Sequence, residues 1–361
     1  MLEVLPLLAM LGVQVDAVVT DPPYHLTSIV KRFGADNAAP AQVGATGAYA
    51  RASSGFVGKK WDGGDIAFRP ETWRLVYDVM KPGAHLVAFG GTRTYHRLAC
   101  AIEDAGFETR DTVSWLYGTG FPKSHNQQGE WRGWGTALKP ACELIVLARK
   151  PLIGTVAANL LGHGTGALNI DGCRIGTTKG VPASVSRGTG GSSLPGSIDH
   201  SLRREDGTGS GHDPNVVRWP ANVIHDGSEE VLAAFPDTPG QQGKASSNPD
   251  SPRTRRVYGA MGRADDPTAP RGDSGSAARF FYCAKATKAD RIGSKHPTVK
   301  PIALIRYLCR LVTPPGGTIL DPFAGSGTLA AAAHAEGFNA ILVEREAEYI
   351  TDIQRRIRDV E

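Results

Sequence analysis

A glycine-rich turn near the end of the 361-residue chain constrains the fold more than any other segment. Residues 318–328 read TILDPFAGSGT, and Gly325 and Gly327 mark the point where an apolar strand changes into a helix. Only 33 residues follow this segment, which is enough for a helix, a strand and a second helix. A sheet of ordinary size must therefore draw its other strands from far upstream in the chain.

Sections 1–150 and 279–361 alternate between strand and helix patterns. Short apolar runs bounded by proline or glycine predict strands over 15–20, 84–91, 112–118, 143–150, 318–321 and 339–346. Helical spacing predicts helices over 71–80, 94–107 (with Gly106 as the stop), 301–312, 328–337 and 347–360. This alternation is typical of an α/β fold with a mostly parallel sheet and helices on its faces.

Residues 151–278 differ from both flanking sections. The segments 176–197 and 240–276 are rich in glycine, serine, proline and threonine, which predicts a partly flexible insert. Between them, 218–236 (RWPANVIHDGSEEVLAAFP) has the composition of a folded segment. The chain is therefore divided into an N-terminal half at 1–150, an insert at 151–278 and a C-terminal half at 279–361.

Composition excludes several classes of protein. The five cysteines are widely spaced and form no CxxC pair, which argues against a zinc ribbon or a disulfide scaffold, so no metal site is predicted. No apolar run reaches the roughly 18 residues of a membrane-spanning helix. We expect a reduced, cytoplasmic protein without a membrane partner. The net charge of +4 permits an anionic partner without requiring one.

The tetrapeptide Asp21-Pro22-Pro23-Tyr24 directly follows the first predicted strand. Asp-Pro-Pro is good turn chemistry and could simply end that strand. Because prolines restrict the backbone, it could also present a carboxylate, a carbonyl and an aromatic ring to one cleft. A planar amine there could donate one N–H to Asp21 and another to the carbonyl of Pro22, while Tyr24 stacks on the ring that carries the amine.

The turn at 318–328 fits nucleoside binding better than phosphate binding. Thr328 follows Gly327 where a Walker loop requires lysine. Glu344 ends the next predicted strand 19 residues after Gly325, where a carboxylate can reach ribose hydroxyls. A plain strand-to-helix turn and a nicotinamide-dependent oxidoreductase remain alternatives, but the latter leaves the residues at 21–24 unexplained.

With DPPY early, HPTVKP at 296–301 and DPFAGSGT late, the chain resembles the amino-directed (N6-adenine/N4-cytosine) DNA methyltransferases of the beta motif order. GFPKS, ALKPACELIVLARK and RWPANVI resemble the phage-type members. The resemblance implies a circularly permuted, Rossmann-like, seven-stranded sheet, with a catalytic half, a target-recognition insert and a half that binds S-adenosylmethionine (AdoMet). It implies methylation of the N6 amine of an adenine flipped out of double-stranded DNA, because Asp as the first motif residue favours adenine over cytosine N4 in this family.

The resemblance also assigns site residues. The catalytic residues are Asp21, Pro22, Pro23 and Tyr24. The cofactor-binding residues are Asp321, Phe323, Gly325, Ser326, Gly327, Thr328, Glu344, His296, Pro297, Thr298 and Lys300, with Lys300 or Thr298 near the methionine carboxylate. Family members usually have a strand ending in Gly-Asp before the helix that begins here at Met1, and we expect an upstream extension to tighten AdoMet binding.

DNA contacts are predicted at basic and aromatic positions outside the two motifs. These candidates are Lys59, Lys60, Trp61, Lys123, Arg253, Arg255 and Arg256, each of which could also belong to a solvated loop. Alternative methyl acceptors are cytosine in DNA, RNA and a protein amide. A decayed protein that binds DNA without catalysis is a further alternative. A homodimer and a partner restriction enzyme are also open.

Overall fold

The computed structural model describes residues 1–24, 65–122, 124–176, 216–238, 275–291, 293–294, 296 and 298–360. Helices α1 to α8 span Val4–Met10, Pro70–Asp78, Tyr95–Asp104, Val156–His163, Glu229–Ala234, Ile302–Val312, Thr328–Glu336 and Ala347–Val360. Strands β1 to β12 span Val15–Thr20, Met80–Gly90, Glu108–Leu116, Cys142–Arg149, Ile175–Gly176, Val216–Arg218, Val223–His225, Asp237–Thr238, Gly275–Ser276, Tyr282–Cys283, Thr318–Asp321 and Asn339–Leu342.

Eight strands form one sheet in the order β10-β7-β3-β4-β2-β1-β11-β12. Neighbours in this sheet are parallel except at β4, which runs antiparallel to both β2 and β3. The Rossmann-like α/β fold expected from the sequence is confirmed. Within the described residues the sheet has eight strands and not the seven expected, and two of the eight, the short strands β7 and β10, continue it beyond β3.

Hydrophobic side chains fill a layer on each face of the sheet. Trp73 of α2 and Ile102 of α3 pack on one face, and Leu308 of α6 and Leu329 of α7 pack on the other. Every residue of β1 is buried. A central strand covered on both faces requires the near-continuous apolar run that the sequence shows at 15–20.

The order in which the chain adds strands to the sheet reverses between β1 and β11. From β1 it proceeds through α2 to β2 on one side, and from β11 it proceeds through α7 to β12 on the other. The two strands pair in parallel with Ala17 opposite Ile319 and Val18 opposite Leu320. Their carboxyl ends therefore meet at one edge, which is where open α/β sheets bind ligands.

Several elements differ from the boundaries expected from sequence, among them β3, which begins at Glu108 instead of 112, and β12, which ends at Leu342 instead of 346. Strand β2 begins at Met80 instead of 84, because Met80 pairs with Val15 ahead of an irregularity in the register. Strand β7 lies within 151–278 yet joins the main sheet beside β3. Part of the predicted insert thus extends the same sheet as the two flanking halves, and the proposed division of the chain remains a prediction.

Candidate active site

A cavity of about 640 Å³ opens at the carboxyl ends of β1 and β11. Its wall includes residues of both sequence motifs, about 300 positions apart in the chain: Thr20, Asp21, Pro22, Pro23, Tyr24, Asp321, Phe323, Gly325, Ser326 and Thr328. A direct bond joins the two motifs, because the Thr20 hydroxyl donates to Asp321 Oδ1 over 2.6 Å. The volume lies in the range of small-molecule and cofactor sites.

Tyr24 lies at the centre of the DPPY end of the cavity. Its hydroxyl oxygen is 2.9 Å from Asp21 Oδ1 and 2.9 Å from Glu143 Oε2. A phenol has one proton, so it donates to one of these carboxylates at a time. Burial and the two neighbouring negative charges raise the pKa of Tyr24 well above its ordinary value, which keeps the phenol protonated.

The position of Tyr24 depends on Gly91 and Thr94. The Thr94 hydroxyl donates to the backbone oxygen of Tyr24 over 2.9 Å. A β-carbon placed on Gly91 would lie only 3.1 Å from Tyr24 Cδ2. Gly91, directly after β2, therefore leaves room for the aromatic ring.

Lys300 lies against the same carboxylates. Its ammonium is 2.7 Å from Asp21 Oδ2 and 3.1 Å from Glu143 Oε2, and it donates to the hydroxyl of Tyr24 over 3.1 Å. The side chain is 6% exposed. Burial alone would lower the pKa of Lys300, but the two carboxylates raise it above its ordinary value, so the amine stays charged. The resemblance put Lys300 or Thr298 near the methionine carboxylate, which stays a prediction. In the structure Lys300 lines the cavity and lies between the partly buried carboxylates of Asp21 and Glu143, whose charges it compensates.

The glycine turn also lines the cavity. Gly325 has φ of +52° and Gly327 has φ of +76°, a region that side chains other than glycine rarely adopt. The amide of Gly325 donates to Glu344 Oε2 over 2.7 Å. The other oxygen of Glu344 accepts the amides of Arg345 and Glu346. Backbone donors thus fix the carboxylate that the sequence assigned to a ribose.

His296 and Thr298 lie beside the glycine turn. A β-carbon on Gly325 would lie 3.2 Å from His296 Nε2, so the backbone of the turn approaches this imidazole closely. The amide of Thr298 donates to His296 Nδ1, and the ring contacts Tyr349 edge to face at 4.6 Å. Both His296 and Thr298 line the cavity, whereas Pro297 lies outside the described residues.

Ser326 and Thr328 are buried at the start of α7, and Gly327 packs closely against Ile353 of α8. The backbone oxygen of Ser326 accepts the Nε–H of Arg356 over 2.8 Å. The structure thereby places the predicted residues of the glycine turn in one rigidly bonded segment. The predicted DNA-binding residues Lys59, Lys60, Trp61, Lys123, Arg253, Arg255 and Arg256 all lie outside the described residues.

Glu143 is a site residue that the sequence interpretation missed. It is the second residue of β4, the one reversed strand beside β2 and β3. Reversal brings the amino end of β4 to the edge where its parallel neighbours end. An acidic residue at the start of an otherwise apolar strand was the available signal, but its use required knowing the direction of β4.

Asp321 has an unusually high pKa for a carboxyl group. Burial raises its pKa from 3.8 to about 7, although the hydrogen bonds from the Thr20 hydroxyl and the Phe323 amide act in the opposite direction. The folded protein therefore holds this proton at pH values where the unfolded chain has lost it, and stability falls as pH rises from about 4 to about 7.

Replacing Asp321 with asparagine is expected to remove that loss, because the amide oxygen accepts the same two hydrogen bonds without ionising. Urea unfolding at several pH values would show the wild type losing on the order of 2–4 kcal/mol relative to the Asp321→Asn variant across this interval. Parallel curves for the two proteins would contradict the assignment.

Two further properties concern the described part of the chain alone. Within it, no group of three or more histidine, cysteine, aspartate or glutamate side chains could hold a metal ion. Likewise, none of the helices there is long and apolar enough to cross a membrane.

Comparison with known protein families shows which class of protein this fold and site belong to. The family model of the N6_N4_Mtase DNA methylases matches residues 15–355. The chain therefore belongs to this DNA methylase family. S-adenosylmethionine is the cofactor of the family, as the motifs of the sequence predict.

Individual relatives match more weakly. The type II methyltransferase M.HinfI of Haemophilus influenzae is 40% identical over 72 residues, which span only 20% of each chain. The SAM complex of M1.HpyAVI is 15% identical, covers 99% of this chain and 95% of that chain, and has a TM-score of 0.43. The cytosine-N4-specific PvuII DNA methyltransferase is 13% identical, covers 96% of this chain and 84% of its own, and has a TM-score of 0.42.

Proposed function

We propose that this protein is an AdoMet-dependent, site-specific DNA methyltransferase that methylates the N6 amine of a flipped-out adenine. The observation that carries the proposal is the single cavity that contains both Asp21 and the glycine turn at Gly325. The family supports DNA as the substrate. The choice of adenine depends on the resemblance of the motif beginning at Asp21, and N4 methylation of cytosine is the alternative.

The residues of the cavity fit this cofactor. The positive φ angles of Gly325 and Gly327 let the backbone approach a ligand closely, and Glu344 is fixed by three backbone amides beside them. We assign Asp321, Phe323, Gly325 and Gly327 to the methionine end, with Ser326 and Thr328 as auxiliary residues, and Glu344 to the ribose. His296 and Thr298 would flank them. When bound, AdoMet supplies an electrophilic methyl group attached to its sulfonium.

The chain's own residues would prepare the amine for direct transfer. A carboxylate oxygen has more than one acceptor site, so Asp21 can accept an amine N–H while it keeps its bonds to Lys300 and Tyr24. The Pro22 carbonyl would accept the second N–H. These two bonds favour a pyramidal, nucleophilic nitrogen. After transfer, the extra proton on nitrogen would leave through the hydrogen bond to Asp21.

Tyr24 would support the base. Its hydroxyl is tethered to Asp21 and Glu143, which holds the end of the side chain, and the close approach of Gly91 to Cδ2 restricts rotation of the ring. A base stacked on that ring is stabilised by about 1–3 kcal/mol, which offsets part of the cost of unstacking the base from the duplex.

The test is methylation of DNA in vitro with tritiated AdoMet, followed by digestion and separation of the product nucleosides. We expect the label in N6-methyldeoxyadenosine. Label in N4-methyldeoxycytidine would establish the alternative. Transfer to RNA or protein and not to DNA would contradict the proposal.

Three wider assignments accompany this function as proposals. The halves 1–150 and 279–361 would form the methyltransferase sheet in the beta motif order, with 151–278 as the target-recognition insert. The likeness to phage-type enzymes and a place in restriction-modification are expectations from sequence alone. Long-read sequencing of host DNA with and without expression would report the base and its recognition sequence together.

A further inference from the structure

The connection between β3 and β4 exposes an aromatic surface. Residues 118–141 carry four large apolar side chains that are mostly in solvent: Phe121 (80% exposed), Trp131 (61%), Trp134 (64%) and Leu138 (92%). Clusters of large exposed apolar side chains usually mark interaction sites. None of these four side chains lines the cavity described above.

The two tryptophans are held in a defined arrangement. Their ring centroids are 5.4 Å apart and the ring planes meet at 85°. The amide of Trp134 donates to the oxygen of Trp131, and the amide of Gln127 donates to the oxygen of Trp134. Farther along the loop, His125 and Thr136 are joined by a hydrogen bond. The loop thus fixes the two rings relative to each other at the protein surface.

The base of this loop adjoins the proposed active site. The amide of Tyr117 donates to the oxygen of Ala141 and closes the loop. Two residues beyond Ala141, Glu143 lines the cavity and binds Lys300. Burial raises the pKa of Tyr117 to about 12, and the charges of Glu143 and Lys300 also act on it, so the loop begins beside these groups.

The charge of the loop favours an anionic partner. Its sequence contains Lys123, Arg132 and Lys139 against one acidic residue, Glu130. The described members of this set, Arg132, Lys139 and Glu130, are all exposed. Aromatic rings interleaved with basic side chains are suited to nucleic acid, because bases stack on the rings and phosphates pair with the cations.

We infer that Trp131 and Trp134 form a contact surface for the target duplex, stacking on or wedging between its bases. This inference rests on the proposed function and adds a residue pair that binds DNA without taking part in methyl transfer. Side chains that wedge between base steps help to unstack a duplex, which is the step that base flipping requires.

The length of the loop limits where this contact falls. Trp134 is seven residues from Ala141, so it can lie at most about 25 Å from the base of the loop. At about 3.4 Å per base step, the tryptophans should contact DNA within about seven base pairs of the nucleotide that lies beside the base of the loop.

The test compares duplex binding by the wild type, a Trp131→Ala/Trp134→Ala variant and a matched Trp131→Phe/Trp134→Phe control. Fluorescence anisotropy would use a labelled mixed-sequence duplex of about 30 base pairs, long enough to span this reach. We expect the alanine pair to raise the dissociation constant by at least about tenfold and the phenylalanine pair by less than about threefold, because phenylalanine keeps a ring for stacking. Thermal unfolding and AdoMet binding should be unchanged, because both side chains are exposed and outside the cavity.

Equal duplex affinity for the wild type and the alanine pair would overturn the inference. The inference would also be overturned by an alanine variant that binds DNA normally but lacks an oligomer that the wild type forms in sedimentation. The surface would then be a protein interface. Methyl transfer by the wild type is measured separately. A wild type that binds duplex through these tryptophans but transfers no methyl group would contradict the proposed function and support the DNA-contact surface.

Discussion

Methyl transfer to DNA by an Asp21→Ala variant is expected to fall by at least about 1,000-fold, while its dissociation constant for AdoMet stays within about threefold of the wild type. The carboxylate of Asp21 lines the cavity and bonds to Tyr24 and Lys300. Its removal therefore deletes the acceptor for the amine and leaves the proposed cofactor contacts in place. Initial rates with tritiated AdoMet and calorimetric binding would measure the two quantities.

The matched control is Asp78→Ala. Asp78 is an exposed carboxylate that pairs with Arg74 at the end of α2, away from the cavity. This control should retain full activity, because surface ion pairs contribute little. Retained transfer in Asp21→Ala, or loss of AdoMet binding together with transfer, would contradict the role assigned to Asp21.

A Lys300→Met variant is expected to lose about 3 kcal/mol of unfolding free energy and at least about 100-fold in methyl transfer. The substitution leaves Asp21 and Glu143 facing each other in a partly buried site without their shared cation. Uncompensated charge of this kind is strongly destabilising. Equilibrium unfolding in urea and initial rates of transfer would measure both effects.

The control for this prediction is the double variant Lys300→Met/Glu143→Gln. The glutamine amide has N–H groups that can donate to Asp21, and one negative charge is removed along with the cation. The double variant should therefore be more stable than Lys300→Met alone, as expected for residues in one network. Wild-type stability in Lys300→Met, or a further loss in the double variant, would show that this ion cluster does not act as described.

Local patterns made much of the fold predictable. The strand at 15–20 and the helix at 347–360 were predicted with the bounds that the structure has. Pro22, two residues after Thr20, stops the strand, and apolar spacing alone defines the helix. The meeting of Asp21 and Gly325 in one cavity was also predictable, because each motif directly follows a predicted strand and both strands were expected at one edge of the same sheet.

The rest depended on pairings between distant segments. Glu143 reaches the cavity only because β4 runs against its neighbours, and no feature within β4 specifies its direction. Lys300 reaches Asp21 because both are brought to the same cavity from positions 279 residues apart. The strand Val223–His225 joins the sheet through β3, although its flanks resemble a flexible insert. Each of these outcomes is decided by tertiary packing and not by local sequence.

A crystal structure of the protein with bound AdoMet would test the central claim most directly. We expect the cofactor in the cavity at the ends of β1 and β11, with its methionine end against residues 321–327, its ribose beside Glu344, and its methyl group directed toward Asp21. Cofactor bound outside this cavity, or with its methyl group directed away from Asp21, would contradict it.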